Sequence, residues 1–266
     1  MYKRQQHDCS LSTAGSAWRA WQLESPGKKH VSAFQEADRG RTSIVIITHN
    51  QLGYTQQCLR SIWQYTDLPY ELIFIDNAST DGTCEYLRSL GNITLIENSE
   101  NRGFPAAANQ GIGAATGDQI LLLNNDTIVT TGWLERLIDV LRSAPDIGMV
   151  GPCSNAVSGS QKVPADYRDL SCLDGFAWEW ARKHRSLIEQ TDRLVGFCLL
   201  IRRELIDIVG LLDEQFGMGC FEDDDLCRRA HEAGYRTVIA REAFVHHFGS
   251  VTFRATGADF AGLMHE

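Results

Sequence analysis

The chain has no run of eighteen or more apolar residues, and its first forty residues are polar and mixed in charge, without the pattern of a secretory leader. Neither a membrane-crossing helix nor an export signal is expected. A basic excess is also missing: 25 Lys and Arg against 34 Asp and Glu give a formal net charge of −9 and a pI near 5.4. A nucleic-acid partner usually needs a positive face, so none is expected. Paired cysteine spacing is absent too, since Cys9, Cys58, Cys84, Cys153, Cys172, Cys198, Cys220 and Cys227 form no CxxC unit suited to zinc or a redox centre. They read as small hydrophobes in a reducing compartment, without disulfides. The expectation is a soluble cytoplasmic protein, with peripheral attachment at the inner face of the plasma membrane as the alternative placement.

Within 266 residues, 43% of them hydrophobic, one medium α/β domain with an extension fits better than two full domains. Three apolar runs each stop at a polar cluster: 44–47 at Thr48-His49-Asn50, 71–75 at Asp76-Asn77-Ala78-Ser79, and 120–123 at Asn124-Asn125-Asp126. Between them lie helical patterns at 54–65, with Leu59, Ile62 and Trp63, and at 83–90 after Asp81-Gly82. Residues 133–142 repeat the pattern with Leu134, Leu137, Ile138 and Leu141. Alternating strands and helices predict a doubly wound, mostly parallel sheet flanked by helices, and polar residues at adjacent strand ends converge on one crevice.

Further on, 147–150 reads as a strand ending at Gly151-Pro152, 195–201 as another, and 204–209 as a short helix. Residues 154–192 look irregular, with Trp178 and Trp180 close to a helical "EWARKHRSLIEQ", and suit a mobile loop around an acceptor. Residues 1–40 read as an extension or linker with a short helical piece at 17–23, residues 41–255 as the catalytic domain, and 256–266 as the start of a truncated C-terminal helix.

The segments "TSIVIITHN", "ELIFIDNASTDGT", "NRGFPAAANQGI", "ILLLNNDTIV" and "FEDDDLCRRAHEAGY" follow one another in an order that resembles family-two glycosyltransferases, over roughly 42–253. The resemblance implies a GT-A fold and inverting transfer of a sugar from a nucleotide-diphosphate donor to a glycan, lipid-linked or protein acceptor. Rhamnosyl-, galactosyl- and glucosyl-type members are resembled about equally.

On the donor side the resemblance points to Thr48, Asn50, Asp76 and Ser79, where a carboxylate can accept from a base imide or ribose hydroxyls. An Asx turn before Ser79 is the structural alternative for Asp76. It also points to Arg102, to Gly103 for close approach of backbone to donor, and to Asn109 on the following helix; Pro105 replaces the family's usual alanine. Asp126 matches the last acid of the family's DxD-type motif and is the metal candidate, Mn2+ or Mg2+. Asn124, with Asn125 beside it, suits the sugar or a metal-bound water better than the ion. A second ligand is expected from "VHHFGS", where Gly249 registers His246 ahead of His247, and manganese suits mixed oxygen and nitrogen ligation.

For the base, Glu222, Asp223, Asp224 and Asp225 stand in succession, and crowded like charges raise carboxyl pKa values toward a useful range. A helix amino terminus needs one or two acids, not four. By resemblance Asp223 is the base, with Glu222 and Asp225 orienting it, contacting the acceptor or capping the helix. Gly196 would permit close sugar approach, and Arg202 and Arg203 would face donor phosphates or form surface pairs. Two other functions were weighed. A sugar-phosphate nucleotidyltransferase needs a Gly-rich basic loop after the first strand, where only Gly53 stands. A catalytically silent binding module would not need both Asp126 and the acidic cluster.

Overall fold

A computed structural model describes residues 39–249. Of the proposed extension at 1–40, residues 1–38 with the helical piece at 17–23 lie outside the described residues, as does the C-terminal helix at 256–266. Strand β1 (Thr42–Thr48) leads through α1 (Leu52–Tyr65) to β2 (Tyr70–Asn77), then α2 (Thr83–Arg88), β3 (Thr94–Asn98) and α3 (Gly103–Ala114). Next come β4 (Gln119–Asn124), the short β5 (Thr127–Ile128), α4 (Trp133–Arg142) and β6 (Ile147–Cys153). The later part holds α5 (Leu173–Lys183), β7 (Ile188–Thr191), β8 (Cys198–Arg202), α6 (Arg203–Val209), α7 (Glu222–Glu232), β9 (Arg236–Phe244) and β10 (His246–His247).

Eight strands form one sheet in the order β3-β2-β1-β4-β8-β6-β9-β7, and β5 pairs with β10 in a separate two-stranded ribbon. The β1–β2, β1–β4, β2–β3 and β6–β9 pairs are parallel, whereas β8 runs antiparallel between β4 and β6. This is the expected mixed, mostly parallel α/β sheet. Both faces are covered, which is why the strand sequences are continuously apolar instead of alternating. Ile44, Ile46, Leu121 and Leu123 pack with Leu59, Ile62, Leu134 and Leu137 on one face. Val45, Ile73, Ile75 and Leu122 pack with Ala107, Ala108 and Ile112 on the other. Each such buried aliphatic side chain contributes about 1.5–3 kcal/mol. Gly111 lets α3 sit close to the sheet, because a Cβ there would stand 2.3 Å from Val45 Cγ1.

Register brings the polar strand ends together: Thr48 pairs with Asp76 and Ile47 with Asn124. Arg202 and Arg203 lie at the other edge, since Arg202 pairs with Gln119 at the start of β4. Arg202 donates to the carbonyls of Ile147 and Ala144, with a further bond to Leu141 O, while Arg203 donates to the carbonyls of Gly117 and Ala115. Both close helix carboxyl ends, where positive charge and donors are favoured. The expectation that they meet donor phosphates or surface carboxylates is corrected.

Several boundaries also differ. α1 begins at Leu52 and α2 stops at Arg88, while β6 continues through Pro152 to Cys153. The segment expected to be an irregular loop is ordered by 3₁₀ turns at Gly159–Gln161 and Leu170–Cys172 and by α5. "SLIEQ" is not helical; it forms edge strand β7 against β9. β8 starts at Cys198 because the amides of Val195 and Gly196 are taken by Gln161 Oε1 and Asp223 Oδ2. The seven cysteines within the described residues are free thiols. Among the described residues no helix is long and apolar enough to cross a membrane.

Candidate active site

The loops after β1 and β2 are laced together. Asp76, buried at 2% exposure, accepts from Thr48 Oγ1 at 3.1 Å and from the Ser79 amide at 2.9 Å. The Asn50 amide donates to Ser79 Oγ at 2.7 Å, and Asn50 Oδ1 accepts from the Thr80 amide at 2.7 Å. Asn50, Gln51 and Ala78 all hold left-handed backbone angles, which non-glycine residues adopt at a cost when neighbours over-determine them. Thr48, Asn50, Asp76 and Ser79 are thus brought together. The Asx-type turn is present as well: each Asp76 oxygen takes one donor and keeps a further lone pair.

At the start of α3 the expectations change. Gly103 has φ +79°, and a Cβ there would lie 2.0 Å from the Gly217 carbonyl oxygen, so the close approach is to the 217–218 segment, not to a donor. Asn109 is buried and fully engaged: Nδ2 donates to Leu212 O at 2.9 Å and Glu214 Oε1 at 3.0 Å, and Oδ1 accepts from the Leu212 amide at 3.0 Å. Both residues meet the 212–218 segment in this arrangement. Arg102 precedes the helix, exposed, and makes no salt bridge among the described residues. Pro105 is buried inside the first turn, where a missing N–H costs nothing.

The end of β4 and the β5–β10 ribbon form the next wall. Asn125 donates from Nδ2 to Thr55 Oγ1 at 3.0 Å, which ties β4 to α1. Asn124 Nδ2 stands 3.5 Å from His247 Nε2, and His247 Nε2 stands 3.1 Å from Asp126 Oδ1. On so short a ribbon adjacent residues face opposite sides, and it is His247, not His246, that faces Asp126. Hydrogen bonds orient the two rings. His247 Nδ1 lies 2.7 Å from the Ala156 carbonyl, which can only accept, so Nδ1 carries a proton, and Nε2 is the atom that meets Asp126. His246 Nδ1 bonds to the Tyr167 hydroxyl. Burial pushes that phenol up to about 12, so it keeps its proton. His246 Nε2 is buried and makes no hydrogen bond among the described residues. Burial first, and then His247, pull His246 down to about 4.

The Asp126–His247 pair suits a divalent ion. Their facing atoms stand 3.1 Å apart, and ligand atoms at right angles on an ion with ~2.1 Å bonds stand about 3.0 Å apart. Among the described residues no three His, Cys, Asp or Glu side chains gather closely enough to hold a metal. On an ion held there, other coordination positions would fall to ligand oxygens and water.

The acids open α7 after a strained approach, with Cys220 at φ +82° and Phe221 at +71°. Asp223 Oδ2 accepts from the Gly196 amide at 2.9 Å and Oδ1 from the Asp224 amide at 2.9 Å. Burial raises its pKa, opposed by the Gly196 N–H, raised further by Asp224 and opposed by Arg193. Glu222 is 7% exposed, with Oε2 unpartnered. Burial, then Asp223, push it up to about 7. Asp224 pairs with Arg193. Asp225 neither orients Asp223 nor caps the helix: its carboxylate binds Arg228 at 2.7 Å and Arg229 at 2.8 Å. Burial works against ionisation there, but Arg229 and Arg228 hold its pKa low. Of the roles expected for Asp225, contact with an acceptor is the one this pairing leaves.

Residues 43–209 match the family described as Glycosyl transferase family 2. N-acetylglucosaminyl-diphospho-decaprenol L-rhamnosyltransferase of Mycobacterium tuberculosis is 28% identical over 242 residues, 81% of this chain and 78% of its own length. Glycosyltransferase AglE of Haloferax volcanii is 24% identical over 211 residues, 77% of this chain and 66% of its own. Among solved structures, mannosyltransferase PcManGT from Pyrobaculum calidifontis, in complex with GDP-Man and Mn2+, superimposes with a TM-score of 0.60 at 22% identity, covering 86% of this chain and 62% of that one. GalNAc-T7 with UDP, GalNAc and Mn2+ gives 0.62 at 18% identity, covering 78% and 44%. These likenesses show a GT-A fold.

Proposed function

This chain belongs to glycosyl transferase family 2, and from that premise we propose that it transfers a sugar, with inversion, from a nucleotide-diphosphate donor to a hydroxyl of a glycan or lipid-linked glycan acceptor. The observation that carries the proposal is the opposed pair Asp126 and His247, 3.1 Å apart at the carboxyl end of β4. Asp126 Oδ1 and His247 Nε2 would hold a divalent ion, and manganese suits that oxygen–nitrogen set better than magnesium. Such an ion, when bound, supplies neutralisation of the negative charge that develops on a departing nucleoside diphosphate.

The chain's own groups carry the rest. Asp76 and the loops laced by Thr48, Asn50 and Ser79 would accept hydrogen bonds from the base and ribose. Arg102, exposed at the mouth of α3, offers a planar fork to a phosphate. Asp223, fixed by two backbone amides and raised by burial, would take the proton of the acceptor hydroxyl. In that step the hydroxyl oxygen bonds to the anomeric carbon, the bond from that carbon to the diphosphate oxygen breaks, and the proton stays on the Asp223 carboxyl. The Mycobacterium tuberculosis relative supports a deoxyhexose donor and a lipid-diphosphate-linked acceptor.

The test is a thermal-shift screen of UDP-, dTDP- and GDP-sugars with manganese, since a ligand held only by the folded state raises apparent stability. Turnover of the stabilising donor is then measured. Turnover in the native protein that disappears in Asp223→Asn is the expected result. Stabilisation without any turnover, with a range of glycan acceptors, would instead identify a silent binding module.

A further inference from the structure

The donor motif "NRGFPAAANQGI" spends its most distinctive residues on a different partner: the segment that leads into the acids. Asn109 treats Leu212 as a neighbouring strand would, giving a hydrogen to its carbonyl at 2.9 Å and taking one from its amide at 3.0 Å. Its second amide hydrogen goes to Glu214 Oε1 at 3.0 Å. One and a half turns earlier, Gly103 lies against the Gly217 carbonyl so closely that a Cβ would sit 2.0 Å from it. The Phe104 amide points to Met218 O at 3.4 Å. Segment 212–218 is thus pinned at three places on one helix. Gly217, Gly219, Cys220 and Phe221 then follow with positive φ, and Glu222 and Asp223 come directly after. The same helix begins beside the donor half, where Asn77 Nδ2 donates to the Gly103 carbonyl at 3.1 Å.

We propose that Asn109 is a positioning residue, through which the amino-terminal half of α3 sets the distance between the donor loops and the carboxylates of Glu222 and Asp223. This rests on the glycosyltransferase reading of the site. It gives Gly103 and Asn109 of the motif a role in aligning the acceptor base. Reacting groups must be held to a fraction of an ångström, and a shift of about 1 Å costs on the order of a hundredfold in rate. A hydrogen-bonded clamp on a strained segment is a means of holding them so.

Asn109→Ala removes all three bonds, and Glu214→Ala removes one at an exposed side chain that threatens no core packing. Glu214→Gln keeps an acceptor. Hydrogen–deuterium exchange across 212–225 needs no donor: faster exchange is expected in Asn109→Ala, less in Glu214→Ala, and near-native exchange in Glu214→Gln. In turnover of whichever UDP-, dTDP- or GDP-sugar the native protein uses, kcat is expected to fall about ten- to hundredfold in Asn109→Ala. The affinity for the corresponding nucleoside diphosphate with manganese should change less than about threefold. Unchanged exchange in Asn109→Ala overturns the clamp, as does a loss of nucleotide affinity that matches the loss of kcat. If the native protein turns over no nucleotide sugar, the functional reading fails while the exchange result still decides the clamp.

Discussion

Glu222 should make this protein less stable as pH rises, and replacing it should reverse that. The carboxyl titrates near 4.5 in an unfolded chain and at about 7 in the fold, where burial and then Asp223 disfavour its charge. Between those values the folded state keeps a proton that the unfolded state has lost. Stability therefore falls as pH rises through that window, and the penalty is complete above about pH 7. A difference of some 2.5 units at ~1.4 kcal/mol each gives about 3 kcal/mol. Glu222→Gln keeps the shape and removes the titration, so urea unfolding should show variant and native protein nearly equal at pH 5. At pH 8 the variant should be more stable by about 3 kcal/mol. With ~2.1 cal/mol/K of unfolding entropy per residue, that is about 5 °C in Tm for a chain of this size. Asp223 repels a charged Glu222 in return, so part of the gain above pH 7 is relief of that pair. The gain should come with lost turnover, the usual trade at a destabilised site. A gap that does not widen between pH 5 and pH 8, or a variant less stable at pH 8, would refute the reasoning.

Asp126→Asn and His247→Ala should each weaken manganese binding and lower metal-dependent turnover by about a hundredfold or more, with Tm within a few degrees of native, whereas His246→Ala should leave binding of manganese alone unchanged; manganese titration by electron paramagnetic resonance reads all three. Gly103→Ala must shift the Gly217 carbonyl and adopt φ +79°, so chemical denaturation should show a loss of about 2 kcal/mol or more. Arg203→Ala leaves the Gly117 and Ala115 carbonyls without their charged donor, and stability should fall by about 1.5–3 kcal/mol while nucleotide affinity stays native in the same thermal-shift assay.

The parts of the fold readable in advance were those buried on both sides. β1, β2 and β4 are continuous apolar runs, and α4 has Leu134, Leu137, Ile138 and Leu141 on one face, so period and composition agree. β3 and β7 lie at the two edges of the sheet, half exposed, and "TLIEN" and "IEQT" carry too few apolar residues to stand out. α5 hides its buried side behind Ala177 and Ala181, small residues that leave little periodic signal. Among site residues, the Thr48, Asn50, Asp76 and Ser79 grouping was legible because it follows from strand ends in register. The partners of Asn109, Asn125, Arg202 and Arg203 were not, since each bonds to chain 55 to 105 positions away. His246 and His247 differ by one residue, and in a two-residue ribbon one step exchanges the faces.

The antiparallel strand set between β4 and β6 has a consequence for how the chain is made. β6 pairs only with β8 and β9, although it is synthesised some fifty residues before the first of them and more than eighty before the second. During synthesis its seven buried residues have no sheet to join, and must wait as exposed apolar chain until 198–202 and 236–244 emerge. Such waiting favours slow assembly and exposure to aggregation. Residues 43–209, the stretch by which the family is recognised, contain β6 without β9, so they should not fold as a unit. Of the eight strands in the main sheet only β9 lies beyond that stretch, and it is the strand that pairs with both β6 and β7.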